Sequence, residues 1–145
     1  MKILNMFKRP RVLGTSAAVI ALTLFSTAIF ADEVKVMLSG DMEVPPVKTT
    51  ASGSGVVTIN PDMSVSGTIA TIGVSGTMAH IHHGGLGKNG PVLIPLAKHG
   101  DTGWSVPGGA KLTDVQYQAY KAGELYINVH SAENKGGEIR GQLLP

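Results

Sequence analysis

Two runs, Ser54-Gly-Val-Val-Thr-Ile59 and Ser64-Val-Ser-Gly-Thr-Ile-Ala-Thr-Ile72, flank the turn sequence Asn60-Pro-Asp62. In the second run Val65, Gly67 and Ile69 fall on one face, and Ser66, Thr68 and Ala70 on the other. That period of two belongs to a strand with one wet side. Proline, asparagine and aspartate between two such runs predict a β-hairpin. A lone hairpin is marginal in water, so the chain must supply further strands to cover its apolar face.

It does. Val34–Leu38, Met78–His82, Pro91–Leu96, Leu125–His130 and Glu138–Leu144 all read as short strands, and Gly84–Gly90 as a glycine-rich loop. Glu43-Val-Pro-Pro-Val47 cannot be a central strand, because proline lacks the N–H that a ladder needs. One helix is predicted, over 113–122. Thr113 and Gln116 have the spacing of a capping box, and Gly123 stands where a left-handed cap belongs. So short a helix does not stand alone; it should plug one end of a sandwich or cross between its sheets. The set predicts an all-β fold: an antiparallel Greek-key β-sandwich, superoxide dismutase- or immunoglobulin-like, with one short helix.

Residues 1–31 read as a signal peptide. Lys2, Lys8, Arg9 and Arg11 precede a mostly apolar run from Val12 to Phe30, and small residues close it at Ala28 and Ala31. An uncleaved leader would be the one route to a membrane. Residues 32–145 then form a single domain destined for the periplasm or for secretion. The full chain has 12 basic and 10 acidic residues, and the leader holds four of the basic ones, so the remainder carries 8 against 10. No basic stripe is left, which argues against nucleic acid as a partner. Cysteine is absent. That excludes disulfides, thiolate ligands and a cysteine nucleophile, and any metal must be held by His, Met, carboxylate or backbone oxygen.

Three of the five histidines crowd into His80-Ile-His82-His83. On a strand, Met78, His80 and His82 share one face, and Ala79, Ile81 and His83 the other. His80 and His82 then lie about 6.6 Å apart along the strand, and two imidazoles so placed converge on one ion. Closure needs a ligand from elsewhere, and His130 is the best candidate. It shares a strand face with Tyr126 and Asn128, which could orient imidazoles from behind. His99 and Met78 are candidate further ligands. His83 reads as solvated and Trp104 as packing. Glu138 and Arg140, two apart on one strand, read as a structural pair. Imidazole without thiolate suits copper first, with zinc as the other choice.

Five motifs, in order, carry a resemblance: Leu38-Ser-Gly-Asp-Met-Glu-Val-Pro-Pro46, Ala79-His-Ile-His-His-Gly84, Leu112-Thr113, Ala122-Gly-Glu-Leu-Tyr-Ile-Asn-Val-His130 and Gly136-Gly-Glu-Ile-Arg-Gly-Gln-Leu143. Together they resemble the CHRD domain over about residues 33–144. The resemblance implies a β-sandwich outside the cytoplasm and assigns no activity. The histidine arrangement alone is also similar to copper,zinc superoxide dismutase. That likeness would make His80, His82 and His130 copper ligands and Arg140 an anion guide. The chain departs from it in lacking cysteine and a second histidine–aspartate cluster for zinc.

The leading expectation is an exported copper-binding sandwich that stores, carries or senses the ion, with a redox or copper-transfer protein as its partner. The alternatives are a copper oxidoreductase of dismutase type and a structural or adhesive module without metal. No nucleophile–base pair supports a hydrolase.

Overall fold

The structure, a computed structural model, describes residues 31–145; the expected signal peptide lies outside them, apart from Ala31. The hairpin forms as the sequence predicts. β2 (Ser52–Ile59) and β3 (Val65–Ile72) pair from Ser52–Ile72 to Ile59–Val65. Asp62 holds the turn by accepting from the Ser64 N–H at 3.0 Å. β1 (Asp32–Ser39) pairs along the other side of β2. The remaining strands are β4 (Gly76–His83), β5 (Val92–Pro95), β6 (Ala97–His99), β7 (Gly103–Ser105), β8 (Leu125–Ser131) and β9 (Ile139–Leu143).

All pairings are antiparallel, in the order β5-β4-β8-β9-β1-β2-β3-β7-β6. The stretch β9-β1-β2-β3 has the spatial order of a Greek key, with the last strand returning beside the first. The sheet behaves as two halves. At the β1–β9 seam the ladder thins to the single pair Ser39–Arg140. At the other seam the chain itself turns the corner. β5 runs along β4, Leu96 bonds its N–H to the Ala79 carbonyl at 2.9 Å, and β6 then leaves to pair with β7. The inner faces of both halves meet in one core. Val34, Val36, Leu38, Val57, Ile59 and Ile69 from one half close on Ala79, Ile81, Leu125, Ile127, Val129 and Ile139 from the other.

Helix α1 (Asp114–Lys121) carries the chain from β7 in one half to β8 in the other. Its capping box is complete: Thr113 Oγ1 accepts from the Gln116 N–H, and Gln116 Oε1 from the Thr113 N–H at 2.9 Å. Gly123 ends it at φ 71°, in the left-handed region that glycine enters without strain. The helix buries Ala119 and Tyr120. The two three-residue strands β6 and β7 are additions to the expected set. Trp104 on β7 is packing, only 3% exposed. Among the described residues no helix is long and apolar enough to cross a membrane.

Candidate metal centre

β8 pairs with β4 on one side and β9 on the other. The register sets Met78 opposite His130, His80 opposite Asn128, and His82 opposite Tyr126; across the other edge Asn128 meets Arg140 and Tyr126 meets Gln142. Alternation turns Ala79, Ile81, Leu125, Ile127 and Val129 into the core, so these histidines and their polar neighbours share the outer face. His82, His130, Asn128, Tyr126, Arg140 and Gln142 are nevertheless all buried. The loops after β4 and β8 lie over them and hydrogen-bond to them, and the loop after β1 brings Glu43 against Asn128.

One ring nitrogen each from His80, His82 and His130 falls within 4.8 Å of the others. His130 Nδ1 lies 2.8 Å from the Lys135 carbonyl, and His82 Nδ1 lies 3.0 Å from the Gly90 carbonyl. A carbonyl only accepts, so both Nδ1 atoms carry the proton and both Nε2 atoms present a lone pair. The His82 Nε2 is buried without a hydrogen-bond partner among the described residues. His130 Nε2 faces His80 Nδ1 at 3.0 Å, so His80 donates there. Nitrogens each about 2.0–2.1 Å from one ion stand about 3.3 Å apart in a tetrahedron, so the widest pair would close by up to about 1.5 Å. Burial holds His80 below the usual imidazole pKa, helped by His130 and His82. Burial does the same to His82, against the opposing bond to Gly90. Neutral imidazoles are the ligand form.

A stack backs the triad. The Arg140 guanidinium sits 3.4 Å from the Tyr126 ring centroid. Tyr126 in turn lies parallel to His82, with centroids 4.8 Å apart and planes within 6°. Arg140 donates to the Gly85 carbonyl at 3.0 Å and to Gln142 at 3.3 Å. The Tyr126 hydroxyl accepts from the Gly90 N–H at 3.3 Å, so Gly90 is held by the ring that stacks on His82 while it holds His82 itself. Tyr126 and Arg140 thus stand behind the triad. Arg140 is 1% exposed, and its guanidinium does not meet solvent as an anion guide would. Glu138 does not pair with it either; the carboxylate accepts from Thr49 Oγ1 at 2.9 Å.

His99 stays apart from the triad. It lies exposed on β6, 2.7 Å from Ser105 Oγ on β7. Met78 is the triad's neighbour by register and half exposed. His83 turns to the opposite side, 3.7 Å from Glu124. Sequence reasoning did not single out Glu43, which comes from the loop after β1 to lie buried against Asn128. Its signal was its place in the Asp41-Met-Glu-Val-Pro-Pro46 motif, which proline had marked only as a non-strand.

The protein is thus an antiparallel Greek-key sandwich with three imidazoles gathered under loops on the outer face of one half. The family model of the CHRD domain matches residues 34–143, and the chain belongs to that family. CHRD domains are extracellular β-fold modules. No curated protein and no solved structure matches the chain.

Proposed function

We propose that this CHRD domain is an exported metal-binding protein that takes one ion between His80, His82 and His130, and that the ion is copper ahead of zinc. One observation carries the reading. Two of the three imidazoles are locked by backbone carbonyls in the tautomer that presents Nε2, and one of those Nε2 atoms is buried with nothing to bond. An unpaired buried acceptor is costly, and a cation removes that cost. Carbonyl-fixed imidazoles are also how metal-binding histidines are oriented elsewhere. The all-nitrogen donor set favours copper in the divalent series. The half-exposed Met78 thioether beside His130 would favour Cu(I). A role in storing, carrying or sensing the ion, with a copper-transfer protein as partner, is supported by a site whose backing is buried and whose open side is His80 and Met78. The burial of Arg140 weighs against the dismutase alternative. The protein would work in the periplasm or be secreted after loss of residues 1–31.

The test is a competition titration of the purified chain with Cu(II), Cu(I) and Zn(II), beside His130→Ala. Tight one-to-one binding lost in the variant is expected. Absence of binding by the native chain, or equal binding by the variant, would remove the proposal and leave the structural module.

A further inference from the structure

The loop after β1 lays Glu43 against Asn128, behind the triad. Glu43 is 4% exposed. Among the described residues, three buried polar atoms in this part of the molecule have no hydrogen-bond partner: Glu43 Oε1, Asn128 Oδ1 and His82 Nε2. Gly137 shows how closely the first two side chains lie. A Cβ there would overlap Glu43 Oε1 and approach Asn128 Nδ2 to 2.6 Å, and the residue sits at φ 131°, where side chains are rare. Asn128 is flanked by His80 on one strand and Arg140 on the other. Glu43 therefore reaches the triad through one side chain, beside His80.

The charges make the arrangement meaningful. An ion held by three neutral imidazoles keeps its whole charge. Arg140 adds another behind Tyr126. Buried charge of one sign is tolerated only with compensation nearby. Burial pushes the Glu43 carboxyl above its usual pKa, while the Val44 N–H, the Arg140 charge and Asn128 favour the carboxylate, and a cation at the triad would add to that pull; among the described residues the other buried carboxylate, Glu138, is engaged with Thr49. On the reading that the triad holds copper, we infer that Glu43 is the buried counter-charge of the ion and a positioning residue, acting through Asn128 on His80. The site then discriminates between oxidation states: removing one negative charge weakens Cu(II) more than Cu(I).

The experiment compares the native chain with Glu43→Gln, which keeps size and hydrogen bonding. Each is titrated separately with Cu(II) and Cu(I) after the metal-free melting temperature has shown it to be folded. The ratio of Cu(II) to Cu(I) affinity is expected to fall about tenfold, the size of one unit charge acting across about 10 Å at an effective dielectric near 20. Equal losses for both ions would mean packing only, and would overturn the inference, as would an unchanged ratio at full affinity. Should Glu43→Gln fail to fold, Asn128→Asp adds a charge in nearly the same shape, and the ratio must then move the other way. A native chain that binds neither ion would overturn the ion-binding reading itself, a result distinct from binding with an unmoved ratio.

Discussion

β1 and β8 obey the same alternation and meet opposite fates. In β1, Val34, Val36 and Leu38 turn inward, while Glu33, Lys35 and Met37 stand in solvent. In β8, Leu125, Ile127 and Val129 turn inward, yet the outward Tyr126, Asn128 and His130 are buried as well. The difference is not in the strands. It comes from the loops over the β4-β8-β9 face, whose carbonyls at Gly84, Gly85, Gly90 and Lys135 accept from Gln142, Arg140, His82 and His130. A sheet face becomes a site when loops dry it and supply partners for what they dry; otherwise it stays a surface.

The largest difference between the faces is expected where the triad loses a ring. On the metal-binding proposal, His130→Ala should lower ion affinity by at least about 100-fold, because two imidazoles would remain of three; competition titration reads it. Lys35→Ala on the wet face should leave affinity untouched. Next comes stability without metal. Arg140→Met deletes the guanidinium that bonds Gly85 and Gln142 and strips Tyr126 of its cover, and should cost about 2–4 kcal/mol in urea denaturation. Lys35→Ala should stay within about 0.5 kcal/mol. Similar costs for the two would mean that the loop-covered face is no more built than the open one.

How much of this contrast could be read from the chain depends on what each residue answers to. Local rules placed the hairpin at Asn60-Pro-Asp62, the capping box at Thr113 and Gln116, and the strand face that His80 shares with His82, since each depends on residues within a few positions; that His130 joins them depends on the β4–β8 pairing. The strands β6 and β7 escaped, because three residues carry too little period to be seen. Arg140 reads as a surface charge paired with Glu138 until the loop after β4 is laid over it. Glu43 belongs to the triad's backing only through a fold that brings residue 43 to residue 128. His99, as good a ligand by type as His130, sits on the half of the sheet that the corner at Leu96 carries away.

Acid should also separate the two faces. His80 and His82 titrate below their ordinary range in the folded chain because burial disfavours the charged ring. Above about pH 6.5 both states keep these rings neutral and they contribute no pH dependence. As pH falls below that, the unfolded chain binds protons that the folded chain refuses, so stability present above pH 6.5 is lost on passing through the depressed folded values. A stability–pH profile of the metal-free protein should therefore drop on the acid side, and His80→Ala with His82→Ala should flatten that part of the drop. Ion affinity should decline over the same side, since protons compete for the ligand nitrogens.

The smallest effect tests the cover most finely. Tyr126→Phe keeps the ring between Arg140 and His82 and removes only the hydroxyl that accepts from the Gly90 N–H. Stability should fall by about 1 kcal/mol, the worth of one hydrogen bond. Gly90 then holds His82 with one anchor fewer, and the tautomer that presents Nε2 is less firmly kept. Ion affinity should drop about tenfold, the low end for a residue that orients a ligand. Thr58→Ala, one hydroxyl removed from β2 far from the triad, should leave affinity alone. If Tyr126→Phe loses stability but keeps full affinity, the loop is a lid that excludes water. If affinity falls as stated, the same loop sets the ligand geometry, and the distinction between the two faces lies in what the cover holds in place.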